Sequence, residues 1–197
     1  PIPSLAPAKT RNSILRAAES FIGTPYIYGG TSSKGLDCSG LVFMVFKEAT
    51  GQNVPRTVAT LGRWVLVIPR KALTAGDLVF FDLQAAGSEK GVDSVLSSST
   101  IAAADHVGIY TGEGRFLHAA SAGSQTGVIG NSLSEQAWSR RFLFAGRVVS
   151  ASAVSGLAIE GAVLGILNGE ALVGSGAPEL ELRGAGLGAA VSLPVFN

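Results

Sequence analysis

One thiol and two imidazoles are the groups in this chain best suited to covalent chemistry. Cys38 is the only cysteine among 197 residues, and His106 and His118 are the only histidines. A lone cysteine cannot close an intramolecular disulfide, so packing or reactivity has to account for it. It lies in Gly35-Leu36-Asp37-Cys38-Ser39-Gly40-Leu41-Val42, where a loop gives way to a helix. Asp37 suits an N-cap, and the apolar run Leu41 to Phe46 carries the helix through Lys47 and Glu48 towards Gly51. Cys38 then falls in the first turn. Unpaired N–H groups and the positive end of the helix dipole favour thiolate there, so a lowered pKa is expected. The plainer alternative is a small buried hydrophobe, a common fate of free cysteine. Against it stand Gly29-Gly30 and Ser39-Gly40, small residues past which a substrate backbone could reach the sulfur.

A cysteine nucleophile needs a base, and the two histidines lie in strand-like stretches, His106-Val107-Gly108-Ile109-Tyr110 and Arg115-Phe116-Leu117-His118-Ala119. Thr111-Gly112-Glu113-Gly114 between them reads as a tight hairpin turn. Side chains alternate faces along a strand, so the turn decides whether the rings meet. A three-residue loop with left-handed Gly114 puts both on one face as near-diagonal neighbours, whereas a two-residue loop puts them on opposite faces. In the first case one imidazole can take the Cys38 proton, and the other can bond its far ring nitrogen and hold it in orientation.

Other elements must carry these groups. Ser13 to Phe21 has the spacing of an amphipathic helix, ended by Gly23 and Pro25. Val58 to Ile68 supports two readings: Leu61, Trp64, Val65 and Ile68 fit a helix, while Val-Leu-Val-Ile prefers a strand. Leu78 to Leu83 reads as a buried strand, Ser134 to Arg141 as a short helix bearing Trp138, and Phe142 to Val149 as a last strand. Helices first and strands later indicate an α+β domain with an antiparallel sheet.

Several of these stretches together resemble a known family. Tyr26-Ile27-Tyr28-Gly29-Gly30, Asp37-Cys38-Ser39-Gly40-Leu41-Val42, Pro55-Arg56, Ala75-Gly76-Asp77-Leu78-Val79-Phe80-Phe81, His106-Val107-Gly108-Ile109-Tyr110 and Phe116-Leu117-His118-Ala119 are similar, in order, to the motifs of the NlpC/P60 cysteine peptidases. The resemblance runs from about Ile14 to Val149. It implies a papain-like fold, with N-terminal helices and a central Cys-bearing helix packed on the sheet. It implies Cys38 as nucleophile, His106 as general base and acid, and His118 as the third, orienting residue. Tyr26 is then expected to hydrogen-bond near the nucleophile, with Asp37 and Ser39 helping to bind the amino end of a stem peptide. The implied substrate is a peptidoglycan stem, cut between the side-chain carboxyl of D-glutamate and a diamino acid, in an extracytoplasmic compartment. Other readings are a thiol-dependent amidase or acyltransferase on another acyl donor, or a non-catalytic wall-binding module on the same fold.

The remaining composition sets limits. A net charge of +1, without a basic run, gives no reason to expect a nucleic-acid partner. Two histidines with scattered carboxylates make a poor ligand set, so no metal or other cofactor is expected. Residues 1–12, rich in proline and without the pattern of a signal peptide, read as an extended arm at a processed or trimmed start. The catalytic domain then spans 13–149, with a Gly/Ser/Ala-rich insertion at about 84–104 that is long enough to flank the cleft. Beyond it, 150–197 is apolar and Gly/Ala-rich. Asn168-Gly169 signals a hairpin, and Glu160, Asn168 and Glu170 break any membrane span. This β-rich extension is expected to pack on its own catalytic domain or on another subunit.

Overall fold

The computed structural model of the protein describes residues 8–84, 98–123 and 126–148. The expected β extension of 150–197, residues 1–7 of the arm and most of the 84–104 insertion lie outside the described residues. Two helices open the fold. α1 is Ala8–Ser20, so residues 8–12 are helical where an extended arm was expected. Ala8, Lys9 and Arg11 are strong helix formers, and the arm's prolines all precede them. After a two-stranded ribbon, β1 (Thr31–Ser32) and β2 (Gly35–Leu36), comes α2, Cys38–Thr50. Its ends are those its sequence dictates. Asp37 caps the start by accepting from the Gly40 N–H, and Gly51, left-handed at φ 71°, returns its N–H to the Lys47 carbonyl.

The two readings of 58–68 both hold in turn. α3 is Val58–Trp64, started by a reciprocal Thr57/Thr60 capping box, and Leu66–Ile68 is strand β3. A turn of 3₁₀ helix at Arg70–Ala72 leads to β4, Leu78–Phe81. α4 (Ser98–Ala102) is a helical piece inside the expected insertion, with Ile101 against Gly62 of α3. β5 (His106–Gly112), β6 (Arg115–Ala120) and β7 (Gly127–Ser132) form a meander, and α5 (Gln136–Ser139) leads into β8, Phe142–Arg147.

Six strands make one antiparallel sheet in the order β3-β8-β4-β5-β6-β7. Alternation along the strands splits the core in two. Leu78, Phe80, Val107, Ile109, Leu117 and Ala119 join the helices through Leu41, Val42, Val45 and Phe46. Each fully buried Val, Leu, Ile or Phe among them is worth about 1.5–3 kcal/mol. Val79, Phe81, Phe116, Leu133 and Phe142 form the second cluster, closed by Trp138. A buried fork ties the sheet's end to the loop before β4: Arg147 donates from Nε to Asp77 Oδ1 at 2.8 Å and from Nη2 to Oδ2 at 2.7 Å.

Candidate active site

The β5–β6 turn brings the two histidines onto one face by a route different from the expected one. Its loop has two residues, Glu113 and Gly114, both left-handed at φ 52° and 73° as a type I′ turn requires, and Gly112 pairs with Arg115. Such a loop alone would separate the rings. A bulge between Tyr110 and Gly112 shifts the register, so Ile109 faces Leu117 and the parity is restored. Beyond that pair His118 passes close to Gly108, where a Cβ would sit 2.7 Å from the Phe116 ring and 3.4 Å from the His118 Cβ. His106 Nε2 is 2.9 Å from His118 Nδ1, and His118 Nε2 is 2.9 Å from Asn131 Oδ1 on β7. Trp138 covers the pair, its ring centroid 4.6 Å from that of His118 and 5.7 Å from that of His106.

The pairing of β5 with β6 runs only from Ile109 towards the turn, leaving His106–Gly108 without β6 partners. The Cys38 thiol meets the backbone of Val107 in that fork, next in sequence to His106, as well as the backbone of Ser39. Because these contacts favour the thiolate, the amide N–H groups are the donors. They do not win. Burial, the largest influence, pushes the thiol up to about 11, and the Asp37 charge adds to it. A helix N-terminus contributes about 0.3–2 kcal/mol, whereas full burial moves a pKa by up to about 3–5 units, so the expected lowering is overturned by desolvation. Burial also takes His106 down to about 3, helped by the neighbouring His118, and it lowers His118 despite Asn131 and Glu135. Thiol and imidazoles are all neutral at pH 7.

A clamp holds the start of α2. Arg56 donates from Nη1 to Asp37 Oδ1 at 2.8 Å and from Nη2 to Asp37 Oδ2 at 2.9 Å, and it reaches Ser39 Oγ at 2.7 Å and the Gly30 carbonyl at 3.1 Å. Asp37 also accepts from the Gly29 N–H, the Gly40 N–H and Ser39 Oγ. Five donors meet the roughly four lone-pair sites of the Asp37 carboxylate, and Ser39 Oγ joins the same network between Arg56 and Asp37. Burial alone would raise the Asp37 carboxyl, but Arg56, Gly40 and Gly29 together hold it below its ordinary value. The small residues flanking the thiol serve the same clamp. A Cβ on Gly40 would overlap the Gly30 carbonyl, so the close approach there is between the protein's own segments. Tyr26 lies beside both groups. Burial first, then the charges of Cys38 and Asp37, raises its phenol.

The site thus joins Cys38 to the backbone beside His106, His106 to His118, and Asp37 and Ser39 to Arg56. Sequence reasoning gave no role to Arg56, Asn131 or Trp138. The Pro55-Arg56 motif and the isolated aromatic at 138 were the available signals; β7, with Gly127, Gly130 and Asn131 among its six residues, has the composition of a loop. Chemically the arrangement offers a desolvated thiol, a pair of neutral imidazoles and backbone N–H donors. Among the described residues no group of three or more His, Cys, Asp or Glu could hold a metal ion, and no helix is long and apolar enough to cross a membrane.

A model of the NlpC/P60 family matches residues 23–147. The murein DD-endopeptidase MepH of Escherichia coli (strain K12) is 37% identical over 132 residues, 66% of this chain and 42% of that protein. The gamma-D-glutamyl-L-lysine dipeptidyl-peptidase of Bacillus subtilis (strain 168) is 32% identical over 120 residues, 61% of this chain and 36% of that one. A lipoprotein-like NLP/P60 family protein from Staphylococcus aureus, seen in a crystal structure, matches with a TM-score of 0.57 at 29% identity, over 76% of this chain and 44% of its own. The chain spans less than half the length of each of these three proteins.

Proposed function

The chain belongs to the NlpC/P60 family, and from that membership we propose that it is a peptidoglycan hydrolase acting as a cysteine peptidase. Cys38 is the nucleophile, His106 the general base and acid, and His118 the residue that orients His106. The observation that carries this reading is the single thiol, clamped at a helix start against the backbone beside His106, whose Nε2 is bonded to His118 at 2.9 Å. Because thiol and imidazole rest neutral, His106 takes the proton as the sulfur attacks the carbonyl, so no standing ion pair is needed. Backbone N–H groups at the start of α2, that of Cys38 among them, receive the oxyanion. His106 then protonates the departing amine, and a water activated by the same ring releases the acyl-enzyme. Tyr26, beside the thiol, is a polar contact for substrate.

For the bond we propose the amide between the side-chain carboxyl of D-glutamate and the diamino acid, the linkage for which the Bacillus subtilis relative is named, with Asp37 and Ser39 helping to bind the amino end of the stem. The place of action is extracytoplasmic, where peptidoglycan lies. Mass spectrometry of products from defined stem peptides tests the bond: fragments beginning at the diamino acid are expected, and release of D-alanine-linked products alone overturns the assignment. Cys38→Ala should abolish turnover in a folded protein. A Cys38→Ala protein that still cuts stems removes the cysteine-peptidase reading. His106→Ala should be nearly as damaging, whereas His118→Gln retains partial activity because an amide oxygen still accepts from His106.

A further inference from the structure

We propose that Asn131, held by Glu135, is a positioning residue that fixes the tautomers of both histidines, so that His106 presents an unprotonated Nδ1. The catalytic consequence rests on the cysteine-peptidase reading; the tautomers follow from the donor and acceptor chemistry of two neutral rings. Glu135 accepts from the Ser132 N–H through Oε1 at 2.6 Å and from Asn131 Nδ2 through Oε2 at 2.7 Å. A carboxylate can only accept, so the nitrogen of the Asn131 amide faces Glu135 and its oxygen faces His118. That oxygen, 2.9 Å from His118 Nε2, can only accept in turn, so His118 carries its hydrogen on Nε2. A neutral imidazole has one N–H, which makes His118 Nδ1 an acceptor. His106 Nε2, 2.9 Å away, is therefore the donor, and the lone pair of His106 is left on Nδ1.

Two histidines bonded only to each other could run in either direction. In the reverse arrangement His106 carries its hydrogen on Nδ1 and has no site there for the Cys38 proton. Asn131 breaks this tie from two strands away, and Glu135 keeps the amide from turning over. Both rings are neutral at pH 7, as the argument requires, because burial depresses them.

Long-range ¹H–¹⁵N spectra of the ring nitrogens test this directly. The chain has only two histidines, so His118→Gln assigns both sets of signals. In the unaltered protein both rings should show the Nε2–H pattern; an Nδ1–H pattern on either ring overturns the proposal without recourse to any variant. Asn131→Leu keeps the volume and removes the acceptor, stranding the Nε2–H. The reverse tautomers should become populated, and kcat should fall at least about tenfold with KM little changed, short of the roughly 10⁴ that a wrongly held base costs a hydrolytic triad. The exchange Asn131→Asp with Glu135→Gln restores an acceptor facing His118 and should recover the tautomers and most of kcat. Unchanged tautomers and kcat in a folded Asn131→Leu protein refute the proposal. The spectra need no substrate, so failure here is distinct from failure of the cysteine reading, which an active Cys38→Ala protein would reveal.

Discussion

Arg56 holds Asp37 in a two-pronged grip, Nη1 to Oδ1 at 2.8 Å and Nη2 to Oδ2 at 2.9 Å, and so pins the residue before the thiol to a loop 19 positions away. Planar guanidinium suits this geometry and a lysine ammonium does not. Arg56→Lys should therefore cost about 1–2 kcal/mol of stability, discounted because Arg56 is about one-third exposed. It should also lower kcat, since the first turn of α2 loses its fixed position. Chemical denaturation and steady-state kinetics check both, and a Lys variant equal to the parent in each would reduce the clamp to decoration.

Trp138 shields the histidine pair from water. Trp138→Ala should let both rings hydrate, so their pKa values rise towards 6.5 and the acid limb of kcat/KM moves up with them. A half-buried Trp also packs, so stability should drop by about 2–3 kcal/mol. A pH–rate profile with an unmoved acid limb would leave Trp138 a packing residue only.

Stability should fall on acidification. An unfolded histidine takes up a proton as pH drops through about 6.5, whereas native His106 resists until about 3. The native state therefore binds fewer protons in that window and loses stability across it. His118 acts with the same sign, and Asp37, held below its ordinary value, extends the loss to lower pH. The urea midpoint should be lower at pH 4.5 than at pH 7, and His118→Gln should shrink the difference. Equal midpoints at the two pH values would contradict the burial of neutral rings.

Resting Cys38 should react sluggishly. A thiol moved from 9.0 to about 11 holds about 100-fold less thiolate at pH 8, so iodoacetamide should modify it about 100-fold more slowly than free cysteine, before steric shielding is counted. Alkylation at the free-cysteine rate would mean that a thiolate is already present.

Asp77 and Arg147 form a charge pair with side chains only 5% and 7% exposed. Removing one partner strands the other, so Asp77→Ala should cost about 3–5 kcal/mol, and Asp77→Leu with Arg147→Met should cost less than Asp77→Ala alone. Denaturant titration of the two variants beside the parent decides it. A double variant worse than the single would show net stabilisation by the pair.

Elements marked by local chemistry were readable from the sequence. The Asp37 cap and the Gly51 terminus bound α2 as read, and α3 with β3 resolved a segment whose period changes midway. β7 was missed because its strand character comes from pairing with β6, and Asn131 was missed with it. The thiol pKa went the wrong way because a helix start is visible in sequence, whereas the depth at which α2 is buried is a property of the whole fold. The hairpin parity was conditional on turn length, and the deciding residue proved to be the bulge at Thr111 rather than the loop. Arg56 stood in a quoted motif, but its partner across the clamp depends on how the Gly29-Gly30 loop folds back.

The same bulge makes the hairpin a reading frame written in protein. Pairing with β4 keeps Phe81 opposite His106, and pairing with β7 keeps Ile129 opposite His118, so each strand is anchored on its outer side. Deleting the single codon for Thr111 would leave every proposed catalytic residue in place. It would nonetheless set the two anchored strands out of phase, turning one histidine towards the helices and the other away. For this chain, then, insertions and deletions in a surface turn carry the weight that substitutions carry elsewhere. A lineage that changes the length of this turn can keep the site only by an even step or by a compensating bulge.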